Sequence, residues 1–345
     1  MSIFDLIKAP ELTSYWEEHT QDMPPYLGEE LFPADKKMGL KLDWIKGANG
    51  LPVVLKPSAF DTAAIPRARI GFDKLSAEMP FFKESMYIDE ELRQELNMVL
   101  ETGNQAYIDA ITRRVFADET RLLDGARARR EEMRMMALTT GAIDITANGQ
   151  AYKYDYGVPE GHKVDPTTTW DNLTTADPIE DMRGWMDKVE ADTGIRPTRG
   201  VCTRKTWGYL RRNQNIIKSL FVLSNGQVGA ISDSRLTQYL LDELGLELII
   251  YNKRYGNDSG TTTQFVPDDT VVLFPSGNLG NTWFGTTPEE SDLMGGKVAN
   301  VSITDVGVAV TTIQKADPVN VETKVTMICL PSFEAADSVL IADVA

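Results

Sequence analysis

Cys202, Cys329, His19 and His162 are the only cysteines and histidines of this sequence. The cysteines lie far apart and neither histidine has a ligand-spaced neighbour, so the spacing writes no zinc site. The thiols read as two small apolar side chains of a chain kept in a reducing compartment. Two histidines leave little general-base capacity near neutral pH. Carboxylate pairs are easy to find among 51 acids. Asp268/Asp269 and Glu289/Glu290 read as turn or solvated surface rather than as acid–base couples. Ser276-Gly277-Asn278-Leu279-Gly280 follows an apolar run, but no helix pattern follows it to aim N–H groups at a phosphate. The chain has no P-loop, no G-x-G-x-x-G after a strand, no H-E-x-x-H, no G-x-S-x-G and no EF-hand loop. The sequon Asn172-Leu173-Thr174 gains meaning only in a secreted protein. No catalytic, cofactor-binding or metal-binding residue is expected.

The chain has 345 residues, of which 42% are hydrophobic, enough for about two domains with a sizeable core. Its net charge of −16 argues against a grip on nucleic acid through a basic face. The longest apolar runs, Leu248–Tyr251 and Val271–Phe274, are strand-sized, so no membrane span is expected. Asp5, Lys8, Pro10 and Glu11 leave no room for a secretory core near the start. The protein is expected to work inside the cell or to leave it by lysis.

Residues 1–35 read as an arm. Pro10, Pro24, Pro25 and Pro33 allow only a short helix near Leu12–Glu18. Phe4, Tyr15, Trp16, Tyr26 and Phe32 imply that the arm lies on something. In residues 36–72, Met38, Leu40, Leu42 and Trp44 alternate with polar or small residues, the pattern of a strand. Gly47, Asn49, Gly50 and Pro52 form a tip, and Val53–Lys56 and Ala68–Phe72 supply return strands. Asp89 opens a helix carrying Leu92, Leu96, Val99 and Leu100 on one face. A longer helical pattern runs from Asn104 to Thr140, about 55 Å of helix, with Gly125 as a weak point and Gly141 as a stop. The Arg127–Arg134 cluster, interrupted by Glu131 and Glu132, reads as a solvated, salt-bridged face.

Ala142–Val158 reads as a hairpin turning at Asn148-Gly149. In the block 165–293, Asp177 and Pro178 open a helix that Gly194 ends. A strand near Gly200–Thr203, a helix through Trp207 and Leu210, a helix Ser234–Leu244 and strands Leu246–Asn252 and Thr270–Phe274 follow. From Val298 onward strands dominate, with Asp317-Pro318 as a turn. An aromatic arm, a projecting hairpin and an overlong helix are the parts of a subunit that completes its fold with neighbours.

The stretch Tyr251–Asp292 reads Tyr-Asn-Lys-Arg-Tyr, then Phe265-Val266-Pro267-Asp268-Asp269, Leu273-Phe274-Pro275, Leu279-Gly280 and Phe284-Gly285-Thr286-Thr287-Pro288-Glu289. Leu31-Phe32-Pro33, Ala68-Arg69-Ile70-Gly71-Phe72, Met79-Pro80-Phe81-Phe82 and the Asp317-Pro318 strand pair ending at Pro331 complete the series. In order and spacing these motifs resemble the tailed-phage major capsid proteins of the lambda E type, over essentially the whole chain. The resemblance implies an α+β chain of the Hong Kong 97-like fold. Residues 1–35 would be the N-terminal arm and 36–72 the extended loop. Residues 73–164 and 294–345 would form the peripheral domain, with 104–140 as spine helix, Ala142–Val158 and the C-terminal strands making its sheet. Residues 165–293 would be the axial domain.

The implied function is that of a virion shell subunit, assembled in the bacterial host cytoplasm into hexamers and pentamers around double-stranded DNA. Its partners would be further copies of itself, a portal at one vertex and a decoration protein in some shells. A separate scaffolding protein is implied because the hairpin starts too early to leave room for a helical scaffolding segment. DNA would be enclosed without sequence-specific contact, by an acidic wall that does not trap it. Inter-subunit contacts are expected at Trp44, Ile45, Lys46, Leu51 and Val53 of the loop and at Phe4, Tyr15, Trp16 and Tyr26 of the arm. Some shells of this fold join a loop lysine to a neighbour's asparagine. Lys46 is placed for that, but no asparagine or buried carboxylate is singled out as its partner, so no cross-link is expected. The rival readings are an encapsulin-type nanocompartment shell and a soluble enzyme without a visible motif.

Overall fold

The computed structural model describes residues 8–21, 23–46, 73–88, 90, 93–94, 98, 105–147, 149–221, 231–256, 260–295, 299–316 and 319–345. The chain opens with α1 (Ala9–Gln21), longer at both ends than Leu12–Glu18. Pro10 sits in its first turn, where a missing N–H costs nothing, and Leu12 and Trp16, one turn apart, are buried. A short helix α2 (Leu27–Leu31) and β1 (Ala34–Lys36) follow. Strands β2 (Lys41–Lys46) and β3 (Asp73–Glu78) pair with each other and with no further strand among the described residues. Met38 and Leu40 precede β2 instead of alternating within it, because Gly39 turns the chain at φ 92°, and Met38 is 92% exposed. The tip 47–52 and the return strands expected at Val53–Lys56 and Ala68–Phe72 lie outside the described residues, as do Leu92, Leu96, Val99 and Leu100.

After β4 (Phe81–Tyr87) come α3 (Gln105–Glu119) and α4 (Arg121–Thr140). The expected single helix is thus two, and the break falls at Thr120 rather than at Gly125. The Thr120 hydroxyl donates back to the Phe116 carbonyl (2.9 Å), while its own carbonyl accepts from Leu123 N (2.9 Å) and Asp124 N (3.1 Å). Such back-bonding competes with the helical ladder.

The chain continues with β5 (Ala142–Ala147), β6 (Gln150–Asp155), β7 (Lys163–Val164), α5 (Pro178–Thr193), β8 (Arg199–Cys202), α6 (Arg204–Arg212) and α7 (Gln214–Leu220). Next are α8 (Asp233–Leu244), β9 (Glu247–Ile250), β10 (Arg254–Gly256), β11 (Thr262–Gln264) and β12 (Thr270–Phe274). The final strands are β13 (Thr282–Phe284), β14 (Asn300–Thr304), β15 (Val308–Ala316), β16 (Val319–Pro331) and β17 (Leu340–Asp343). The Asp317-Pro318 turn lies outside the described residues.

Two compact units result. The first comprises Met1–Leu42, Ala77–Arg134 and Asn281–Ser332. Its six-stranded sheet runs β1-β13-β16-β15-β14, with β4 also on β16. Against this sheet, Thr13 Oγ1 of α1 lies 3.0 Å from Ser302 Oγ, and Thr304 Oγ1 donates to Glu17 Oε1 (2.7 Å). The second unit comprises Asp43–Ser76, Met135–Gly280 and Phe333–Ala345. Its five-stranded sheet runs β7-β17-β12-β8-β9. Ile179, Met182, Met186 and Val189 of α5 pack into one core with Trp207, Leu210, Leu236, Leu240, Val271 and Leu273. The ends of α5 are those its sequence dictates: Asp177 accepts from Glu180 N, Pro178 stands in the first turn and Gly194 takes φ 76°.

Two expectations about sheets are corrected. The hairpin β5–β6 forms a sheet of its own rather than joining the C-terminal strands. The strand β17 pairs with β12 and β7, because Leu340 and Ala342 belong to the same core as α5. Residues from Phe333 onward therefore sit with the second unit, not with 294–332.

Glu119, at the end of α3, is only 4% exposed, and its Oε2 has no hydrogen-bond partner. Burial drives its carboxyl from an ordinary 4.5 up to about 7, with the nearby Asp118 charge adding to the rise. A carboxyl whose folded-state value lies above its unfolded one contributes its full stability below 4.5 and loses it as pH rises through 7. Glu119→Gln is expected to stabilise the unassembled subunit by about 2–3 kcal/mol at about pH 8 and to change little at about pH 4. Urea unfolding at the two pH values checks this.

Candidate assembly surfaces

The arm is fixed by charge and by aromatic contact within the first unit. At the start of Leu27–Leu31 the Glu29 carboxylate accepts from Tyr26 N at 3.2 Å. The same carboxylate takes Arg127 of α4 in a two-point contact, Nε at 2.8 Å and Nη2 at 3.1 Å. The Arg127 guanidinium also lies over the Tyr26 ring, 4.9 Å from its centroid. Burial pulls the Glu29 carboxyl upward, but Arg127 and the Tyr26 N–H bring it below its usual value.

One turn further along α4, Glu131 is wholly buried and accepts from Gly28 N at 3.1 Å. A Cβ on Gly28 would stand 2.3 Å from Glu131 Oε2, so only glycine lets the arm approach this closely. Arg134 lies 3.7 Å from Glu131 and donates to Thr282 Oγ1 (2.8 Å), which in turn donates to the Phe32 carbonyl (2.9 Å). Arg130 reaches Asp305 at 2.6 Å.

The Arg127–Arg134 face is therefore salt-bridged but not solvated. Arg127, Arg130, Glu131 and Arg134 are all buried, because the arm and the 305 turn cover them. The i, i+3, i+7 recurrence of Arg127, Arg130 and Arg134 is the spacing of a buried helical stripe, and was the signal available in the sequence.

The expected contact residues fall in three groups. Phe4, Leu51 and Val53 lie outside the described residues, while Trp44, Ile45 and Lys46 form the end of β2. Trp16 is 4% exposed and donates from Nε1 to Asp124 Oδ1 at 2.8 Å. Tyr15 and Tyr26 are half-buried, Tyr15 meeting Phe116 edge-on at 5.6 Å.

The motif residues have structural roles. Phe284 is buried, and Gly285 is required because a Cβ there would lie 2.8 Å from Ile328 Cγ2. Glu289 is not solvated surface: it is buried, pairs with Lys324 at 2.6 Å and accepts from Thr326 Oγ1 at 3.0 Å. Glu290 pairs with Lys36. Asp268 and Asp269 do form a turn. Asp268 accepts from Thr203 Oγ1 (2.6 Å), and Asp269, at φ 65°, accepts from Tyr209 OH (3.0 Å) and Lys205. The Ser276–Gly280 loop leads into β13, not into a helix.

Both cysteines are buried, their thiols pushed by burial to about 12 at Cys202 and about 11 at Cys329. A thiol held so far from its thiolate is no nucleophile. His162 is buried with Nε2 3.1 Å from Asp192. Among the described residues no cluster of His, Cys, Asp and Glu could hold a metal ion, and no helix is long and apolar enough to cross a membrane.

Removing one member of the buried set should cost more than the set contributes. Arg134→Met is expected to destabilise the unassembled subunit by about 3–5 kcal/mol, and Glu131→Met in the same chain to recover much of the loss. Urea unfolding of the two variants is the measurement.

Solved structures share this fold over nearly the whole chain. A crystal structure described as a prophage capsid protein from E. coli CFT073 matches with TM-score 0.62 at 14% identity, covering 98% of this chain and 99% of that one. A phage-related protein from Bordetella bronchiseptica RB50 matches with TM-score 0.55 at 11% identity, covering 98% and 97%. The capsid subunit of cyanophage A-1(L) matches with TM-score 0.51 at 11% identity, covering 92% and 91%. The fold is thus the Hong Kong 97-like capsid fold. Comparison with curated protein sequences finds no match. Residues 8–344 match the family described as phage major capsid protein E, and with the arm, paired helices and two sheets in place the chain belongs to that family.

Proposed function

We propose that this capsid subunit assembles into the hexamers and pentamers of an icosahedral or prolate head enclosing double-stranded DNA. The observation that carries this reading is the ribbon β2–β3, whose strands have no third partner among the described residues. A lone two-stranded ribbon is marginal in water, so it is completed by lying on a neighbouring copy. Its base spans Lys41–Lys46 and Asp73–Glu78, so the loop extends past residue 72. Trp44, Ile45, Lys46, Leu51 and Val53 are the loop contacts of this reading, and Phe4, Tyr15, Trp16 and Tyr26 those of the arm. The first unit serves as the body of the peripheral domain and the second carries the axial domain. Assembly takes place in the bacterial cytoplasm on a separate scaffolding protein, with a portal at one vertex and a decoration protein as a further partner. The DNA is held without sequence-specific contact, and the subunit performs no catalysis.

Deleting residues 45–52 is expected to leave a folded, soluble subunit that no longer closes a shell. Circular dichroism and electron microscopy of the product check this, and particles of normal size and yield would overturn the role given to the loop. The shell is held by non-covalent contacts. Mature particles boiled in detergent should release one band at the subunit mass of 38.4 kDa. A ladder that disappears on Lys46→Ala would show a covalent cross-link instead.

A further inference from the structure

The charge of the second unit is divided sharply along the chain. Residues 193–232 carry seven Lys or Arg and no Asp or Glu, in a sequence with 51 acids. Residues 155–192, just before them, carry ten acids and three bases, a net of −7. The basic stretch includes α6 and α7, and several of its cations are satisfied locally. Arg196 pairs with Asp187 (2.5 Å) and Glu190 (2.6 Å), Lys205 with Asp269, and Arg211 with Asp233 (3.1 Å).

Two cations are not. Exposed Arg212 donates from Nε to the Gly208 carbonyl (2.9 Å), and neither it nor exposed Lys218 pairs with a carboxylate among the described residues. On the acidic stretch, exposed Asp165 has no cation among the described residues, and exposed Asp171 accepts from Thr169 Oγ1 (2.6 Å).

We propose that the basic stretch holding α6 and α7 docks on the acidic segment 155–192 of a second copy of this chain, setting Arg212 and Lys218 against Asp165 and Asp171. A shell of subunits that each carry −16 must offset like-charge repulsion where they touch. A basic face meeting an acidic one is a heterologous contact, the kind that closes into rings, and complementary potentials fix its register. A second copy fits better than nucleic acid. Outside residues 193–232 the chain carries −23 (−16 less +7), which repels a polyanion, whereas every copy brings the acidic complement with it.

The proposal rests on the assembly reading above. Three full-length chains test it: the wild type, Arg212→Glu/Lys218→Glu, and that variant with Asp165→Lys/Asp171→Lys added. The reversed pair is expected to fold like the wild type by circular dichroism. Its fraction of subunits in capsomers or particles, read by sedimentation, should fall by about tenfold or more. The fourfold variant should regain assembly, and raising salt from about 0.1 M to about 1 M should weaken assembly of the wild type more than that of the reversed pair. Wild-type assembly by the reversed pair would overturn the proposal while leaving the capsid reading intact. So would a fourfold variant that folds but stays dissociated, or a reversed pair that loses only binding to a DNA fragment. A wild-type chain that never assembles would overturn the assembly reading itself, and this proposal with it.

Discussion

A buried guanidinium is tolerated only where a carboxylate and enough acceptors surround it. Helix α4 buries three, at Arg127, Arg130 and Arg134, and the first unit is arranged to compensate them. Glu29 comes from the arm, Asp305 from the turn between β14 and β15, and Glu131 from the helix itself. Thr282 of β13 takes a further donor and ties it to the carbonyl of Phe32. Arm, helix and sheet are thus held by one polar set that none of them could bury alone. That makes the arm part of the fold rather than a tail laid over it.

The sequence showed some of this and hid the rest, for reasons of distance along the chain. Helix α5 was legible to the residue because its signals are local: an N-cap Asp177, Pro178 beside it, a stripe of apolar residues and Gly194 at the end. The hairpin β5–β6 was equally plain from its Asn-Gly turn. The burial of the arginines was not, because their partners lie 98 and 175 residues away at Glu29 and Asp305. Charge on a helix reads as solvent-facing until the element that covers it is known. The break at Thr120 was not legible, because threonine carries no stop signal of its own, while Gly125 sits inside an unbroken helix. The pairing of strand β17 was not legible, because alternation says which face is apolar, not which strand it pairs with.

The capsid signature also changes meaning once its residues are placed. Gly285 makes room for Ile328, Glu289 neutralises Lys324, and Asp268 caps α6 through Thr203. These are constraints of backbone approach and buried charge. That is consistent with a fold still recognisable in structures only 11–14% identical.

The position of β17 sets a timetable. It lies between β7 and β12, parallel to Lys163–Val164 and antiparallel to Thr270–Leu273. On the ribosome both of those strands emerge well before residues 340–343, so the five-stranded sheet stays split until those residues appear. Contacts so distant in sequence form slowly, and the open edges of β7 and β12 are meanwhile exposed. Until then the subunit lacks a finished second unit to offer its neighbours, and a chain cut ahead of residue 340 is a fragment with two unpaired edges rather than a shorter building block.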